Sequence, residues 1–396
     1  MAYSGAADRS FDVCVVGLGA AGSATAYHLA ARGQRVLGLD RWRPGHPFGS
    51  SHGDSRIIRE IYFEHPLYVP IVRRAYELWR DLEARTGKTL LREIGGLMIG
   101  PPDGEVVTGT IESARAWSMP YEVLSASELS RRYPAFRVSD EDVAVLDRRA
   151  GFLSPEDCND AHLTLAAAAG ATLQFDEPVV SWKADGEGVQ ITTPRDHYCA
   201  GTLVLCAGAR TQALLPDLRL PLEVERQTQF WFDLPTSEAR FAEAGFPIWA
   251  YEFTRGQICY GFPRLPRGLK AAVMHGGETV ASADEVRRTV DPAEVEPLRR
   301  ALARVLPDVA AAPVLDSTTC LFTNMPDGHF LIDVHPEHPQ VLISSPCSGH
   351  GFKFASATGE IHADLVTTGR SRFDLGMFRL RSPEEAPEAA RGRRRP

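Results

Sequence analysis

The chain has 396 residues, 44% hydrophobic and 24% charged, with a formal net charge of −8. That length exceeds one comfortable hydrophobic core, so two domains are expected, and the mild acidity offers no basic face to a nucleic acid. No apolar run reaches the length of a membrane span, and the opening MAYSGAADRSFDV lacks the apolar centre of a signal peptide.

The first predicted strand covers Phe11–Gly17, a helix follows from about Ala20 to Ala31 with Gly33 at its end, and a second strand, RVLGLD, ends at Asp40. Strand, helix and strand in about 30 residues make a βαβ unit. A loop rich in Gly, Ser, His and Pro runs from Arg41 to Ser55, and a loop of that length inside a compact domain usually carries function. An amphipathic helix is predicted over Pro66–Arg85, and the strand GGLMIGP then opens a different domain. Residues 105–135 read as two helices with a connecting strand. A helix over about Asp157–Ala169 and strands near 172–182, 188–193 and 202–206 return to the first domain, and LVLCAGA is a buried strand entering a small-residue turn. Strands dominate from 222 to 320, interrupted by a helix near 293–305. TCLFTN, HFLIDVH, a strand QVLISS and a helix over Phe352–Thr368 follow. The expected fold class is α/β (α+β): a Rossmann-like nucleotide-binding domain, and a discontinuous second domain on a mixed, largely antiparallel sheet. The expected boundaries are 11–85, 145–220 and 320–382 for the first domain and 86–144 and 221–319 for the second, with 1–10 and 383–396 disordered.

Seven cysteines are scattered without a CxxC pair. This pattern predicts free thiols in a reducing cytoplasm, with neither a disulfide framework nor a metal site.

Gly17-Leu-Gly19-Ala-Ala-Gly22 stands between the first strand and its helix. Gly17 permits the tight turn, Gly19 lets backbone approach a pyrophosphate, and Gly22 lets helix and strand pack closely. The helix start adds free N–H groups and a positive dipole end. Asp40 ends the second strand, where a carboxylate can hold ribose hydroxyls. The fingerprint predicts a dinucleotide and by itself does not choose between FAD and NAD.

Five separated segments resemble the sarcosine oxidase and N-methyltryptophan oxidase family of the D-amino-acid oxidase superfamily: FDVCVVGLGAAGSATAYHLA, GSSHGDSRIIRE, YGFPRL followed by GLK, CLFTNMPDGHFLIDVHPEHP and SGHGFKFASATGE. The resemblance runs from about residue 11 to 380 and implies FAD, held covalently through Cys320 to the 8α-methyl carbon of the flavin. It implies that Ala20, Ala21, Arg41, Ser51, Val179, Ala207, Gly208, Gly349, His350, Gly351 and Phe352 join the glycine fingerprint and Asp40 in holding the cofactor. His52 and Arg56 would lie close to the flavin ring, Arg59 and Lys353 would hold the substrate carboxylate, and Lys270 would assist oxygen. Read without the resemblance, Arg56 and Arg59 are two arginines three apart on one helical face that with Asp54, Glu60 and Glu64 nearby read first as a surface salt-bridge patch, and a lysine at a helix start, as at 353, needs a partner or an anion.

Three positions depart from the family pattern. Phe322 stands where a tyrosine is usual, Met274 replaces a histidine although His275 follows it, and Ala250 takes the place of a pocket methionine. With Tyr260 they predict a more apolar, larger substrate pocket. Trp231 and Trp249 read equally as pocket walls or core aromatics. The implied activity is oxidation of a secondary amine, such as an N-methyl or cyclic amino acid, to an imine, with hydrogen peroxide formed from O2. A flavin amine dehydrogenase using another acceptor, a dinucleotide-binding protein without chemistry, and an NAD enzyme are the other readings. The NAD reading leaves CLFTN and SGHGFKF unexplained. Besides amine and O2, no nucleic acid, no membrane and no partner chain beyond a weak homo-oligomer is expected.

Overall fold

The computed structural model describes residues 10–380. β1 (Ser10–Val16), α1 (Ala20–Ala30) and β2 (Val36–Leu39) form the expected βαβ unit, with the two strands parallel. Val13, Cys14, Val15 and Val16 are all buried, as in a parallel strand covered on both faces. Ser10, expected to be disordered, pairs with Cys199 and opens β1. The remaining residues expected to be disordered lie outside the described residues.

β3 (Arg56–Ile58), α2 (Val69–Thr86), β4 (Leu91–Glu93), β5 (Gly96–Gly100), α3 (Glu105–Ala116), β6 (Glu122–Ser125), α4 (Ala126–Arg132), β7 (Val143–Asp147), β8 (Gly151–Leu153) and α5 (Pro155–Ala168) follow. The chain then adds β9 (Thr172–Gln174), β10 (Ser181–Asp185), β11 (Gly188–Thr192) and β12 (His197–Leu205). The strand-rich stretch holds β13 (Glu223–Phe232), β14 (Ile248–Thr254), β15 (Gln257–Leu265), β16 (Gly268–Met274), β17 (Glu278–Val280), α6 (Glu296–Leu302), α7 (Pro307–Ala311) and β18 (Val314–Asn324). β19 (Leu331–Val334), β20 (Val341–Ser345) and α8 (Ala355–Thr368) complete the order.

In the first sheet β9, β2, β1, β12 and β20 run parallel. β12 divides its pairing: its early residues meet β11 and its last three meet β20. α1 packs against α5 and α8. In the second sheet the order is β17-β13-β16-β15-β14-β5-β7-β6, with β18 along β13. Only β14 with β5 is parallel among these pairs, so the sheet is mixed and largely antiparallel as expected. One face of it buries Phe230, Phe232, Phe246, Trp249 and Tyr251 against Leu298 and Leu302 of α6.

Three features differ from expectation. HGDSRIIRE carries the strand β3, paired with β8 in a small sheet that β4 completes, so Arg56 and Arg59 do not share a helical face. β7 begins at Val143 and pairs with β5 and β6. It therefore crosses the expected boundary at 144/145, because its ladder continues the second sheet. β18 pairs with β13 from Val314 to Asn324, so Cys320 sits in the middle of a second-sheet strand and not at the start of a nucleotide-domain segment.

Candidate flavin and substrate site

Between the two sheets lies a cavity of about 790 Å³. Gly17, Gly19, Ala20, Ala21 and Asp40 line it, with Arg41 and Ser51 from the following loop. Gly17 has φ +88°, and a Cβ there would stand 2.4 Å from the Cys206 carbonyl oxygen. Gly22 lies behind the wall, where a Cβ would come within 1.7 Å of the Gly17 carbonyl oxygen. Its part is packing, as the fingerprint requires. The first N–H groups of α1 have no intrahelical acceptor; that of Ala20 donates to Ser51 Oγ at 3.1 Å. Asp40 accepts from the N–H of Leu18 at 2.6 Å and of Trp42 at 2.8 Å. Its carboxylate is thereby fixed at the end of β2.

Val179, Ala207 and Gly208 line the same cavity, as do Gly349, His350, Gly351, Phe352 and Lys353. The SGHGFKF segment turns through Ser348 (φ +43°) and Gly349 (φ +81°). A 3-10 turn, Phe352–Phe354, then leads into α8, where an α-helix from Phe352 was expected. Several buried polar atoms on cavity-lining residues find no partner within the protein: Trp42 Nε1, Arg210 Nε, Thr323 Oγ1, Ser345 Oγ, Gln229 Oε1 and Glu64 Oε1. Buried polar atoms are ordinarily paired, so this wall is built for a polar ligand. The glycine turn, the helix start and these atoms together fit FAD.

Cys320 and His52 lie just behind the wall, both buried. Arg56 lines the cavity and its Nη2 reaches Cys320 Sγ at 3.5 Å and the Ser50 carbonyl at 2.8 Å. Burial first, then the nearby Arg56 and Lys270, push His52 down to about 3, so it is neutral at ordinary pH, with Nε2 unpaired.

Arg59 and Lys353 converge on Tyr62, 4.2 and 5.2 Å from the centre of its ring. Arg59 is buried, pairs with Glu64, and donates to the Ile61 carbonyl at 3.0 Å. Lys353 Nζ donates to the His350 carbonyl at 2.7 Å and to the Tyr62 hydroxyl at 3.4 Å. This is the partner that a lysine at a helix start required. Burial, then Arg59, lowers Lys353 to about 7, against the opposing pull of Glu64. Burial would raise Glu64, but Arg59, His350 and Lys353 outweigh it and hold the carboxyl below its usual range.

Lys270 is buried on β16 and donates to the carbonyls of Gly53 at 2.6 Å and Ser55 at 2.9 Å. Burial and Arg56 push it well below the ordinary lysine range. Ala250, Tyr260, Met274 and Phe322 line the cavity together with Phe63, Ile258 and Phe262. His275 follows Met274 with φ +64°. Its Nδ1 lies 3.0 Å from Glu225, and its ring is edge-on to Phe322 at 5.3 Å. Trp249 packs in the second-sheet core. Trp231 is buried under Arg267, whose guanidinium lies 3.8 Å above its ring centre. Neither tryptophan lines the cavity. Gln229 and Glu225 were not foreseen, because single acids and amides in strands carry no spacing signal.

The family model described as DAO, FAD dependent oxidoreductase, matches residues 12–365. The chain is 42% identical to monomeric sarcosine oxidase of Streptomyces avermitilis, over 96% of this chain and 99% of that one. It is 35% identical to N-methyl-L-tryptophan oxidase of Escherichia coli K12, over 93% of this chain and 98% of that one. Among solved structures, the open form of NikD, an unusual amino acid oxidase essential for nikkomycin biosynthesis, superposes with a TM-score of 0.81 at 28% identity, covering 94% of this chain and 98% of that one. A cavity whose lining fits a dinucleotide and these likenesses converge, and the chain belongs to the DAO family of FAD-dependent oxidoreductases, as an amine oxidase.

Proposed function

We propose that the protein oxidises N-methyl or cyclic amino acids, with O2 as acceptor and FAD bound covalently through Cys320. The observation that carries the substrate class is the pair of buried cations, Arg59 and Lys353, at Tyr62 beside an apolar wall. Arg59 offers a planar fork and Lys353 a point charge to one carboxylate. Glu64 is the anion that Arg59 now meets, so a substrate carboxylate competes with it. Phe63, Ala250, Tyr260, Met274 and Phe322 exclude water around the substrate nitrogen, which favours the neutral amine that oxidation needs. FAD held in this cavity would supply the hydride-accepting chemistry and the onward transfer of electrons to O2. The buried Lys270, which gives two donors to the Gly53 and Ser55 carbonyls, has one left to stabilise negative charge developing on oxygen. The guanidinium of Arg56 against Cys320 Sγ supports that sulfur as the attachment point, since reactive cysteines sit beside cations.

Seven free cysteines suit a reducing cytoplasm, and the scattered exposed apolar side chains Leu67, Val123, Val180, Leu315 and Val334 suit a monomer or weak homo-oligomer. No helix among the described residues is long and apolar enough to cross a membrane.

An anaerobic titration with N-methyl and cyclic amino acids tests the activity. One class should bleach the flavin band, and admitting air should restore it with formation of peroxide. Absence of bleaching across the panel would sink the substrate class. Recovery without peroxide would point to another acceptor. For attachment, acid-precipitated Cys320→Ala protein should release its flavin into the supernatant. Colour retained in the pellet would place the bond elsewhere.

A further inference from the structure

Lys270 comes from the second sheet, but both of its carbonyl partners belong to one turn of the nucleotide part, at Gly53 and Ser55. That turn is held in a sparsely populated shape. Gly53 has φ +94° and Asp54, without a glycine's freedom, has φ +68°. A Cβ at Gly53 would lie 2.7 Å from Gln229 Oε1. Such a conformation persists only where surroundings impose it.

Two contacts impose it. Asp54 pairs with Arg267 at 3.2 Å. From the other side, Glu156 in the first turn of α5 accepts at Oε1 from the N–H of Gly53 at 2.6 Å and of Asp54 at 3.4 Å. An acid in a first helical turn ordinarily serves its own helix, whereas the hydrogen bonds of this one go to the turn. Two of the three donors of a lysine ammonium are thus aimed by a carboxylate that does not touch the lysine.

We propose that Glu156 is a positioning residue for Lys270: through the backbone of the Gly53–Asp54 turn it holds the two carbonyls that orient the ammonium. The third donor, flanked by the rings of Phe262 and Trp231 at 5.0 and 5.5 Å, is left for oxygen. The inference rests on the oxygen-side role proposed above for Lys270.

The test separates the half-reactions of the flavin-loaded enzyme by stopped flow. Glu156→Ala should slow reoxidation by O2 roughly tenfold or more, the scale of a small misplacement, while anaerobic reduction by substrate changes by less than about twofold. Glu156→Gln keeps the acceptor oxygen and should keep most of the reoxidation rate. Glu156→Asp is one methylene short of the Gly53 N–H and should behave like Glu156→Ala, which preserves the comparison if the alanine variant does not fold. Amide hydrogen exchange should rise at residues 53–55 in the alanine and aspartate variants and stay at the parental level in the glutamine variant. Equal slowing of both half-reactions, or faster exchange with unchanged reoxidation, would overturn the assignment. Lys270→Met, measured alongside, should slow reoxidation at least as much; if it does not, the role of the lysine itself is wrong, whatever the exchange at the turn shows.

Discussion

At the scale of single residues, Lys353 makes the clearest pH statement. Its ammonium is lowered to about 7 by burial and by Arg59, so below that value it is charged and above it neutral. A carboxylate ligand binds the charged form, and above neutrality the amine must take up a proton to bind. The Kd of a carboxylate inhibitor lacking an amine should be flat below about pH 7 and rise up to about tenfold per pH unit above it. Flavin absorbance titrations should show this in the parent protein and a flat, weaker profile in Lys353→Met. A bend retained in that variant would assign the proton to another group. His52 does not contribute, because burial and two neighbouring cations keep it neutral throughout. The sequence made Lys353 legible because a cation at a helix start is out of place. It left Glu156 illegible, since an acid in a first turn has many uses, and only the fold shows which N–H it meets.

At the scale of elements, α1 and α8 cross in close contact behind the nucleotide loop. A Cβ on Gly359 would come within 2.5 Å of the Ala24 carbonyl carbon and 2.6 Å of its Cβ. Gly359→Ala should therefore destabilise the protein by about 1–3 kcal/mol, despite the better helix propensity of alanine, and should lower flavin content by shifting the start of α1. Denaturant unfolding and the ratio of flavin to protein absorbance measure the two effects. An unchanged midpoint would mean that the helices can part without loss. The elements the sequence announced most plainly are the opening βαβ unit, marked by its glycine fingerprint, and the amphipathic α2. The β3, β4 and β8 sheet was not announced, because three-residue strands are too short for any periodicity to register. That omission explains the wrong helical face given to Arg56 and Arg59. An odd separation along extended backbone turns side chains to opposite sides, so one guanidinium reaches Cys320 and the other Glu64.

At the scale of the molecule, buried neutral histidines set a limit on the acid side. Burial lowers His28 to about 4 and His162 and His362 to about 3. Each is depressed in the folded state, so its contribution is complete above the unfolded value of about 6.5 and is lost as pH falls toward the folded value. The loss is on the order of 1–2 kcal/mol per histidine by about pH 5, above the range in which most carboxylates titrate. Tm should fall between about pH 6.5 and 5, and less steeply in His162→Gln. A Tm that is level across that interval would show that these rings are protonated without cost.

The divided pairing of β12 has a consequence for how the molecule comes into being. Its last three residues pair with β20, at residues 341–343, so the central parallel sheet waits for a strand made near the end of synthesis. Until that strand leaves the ribosome, the C-terminal half of β12 is an open edge, and unpaired edges invite association with other chains. The segment that closes this edge continues through Ser344 and Ser345 into Gly349 and Lys353, which line the cavity. Protection of the nascent chain and completion of the cofactor site are therefore one late event, and early availability of flavin could not hasten it.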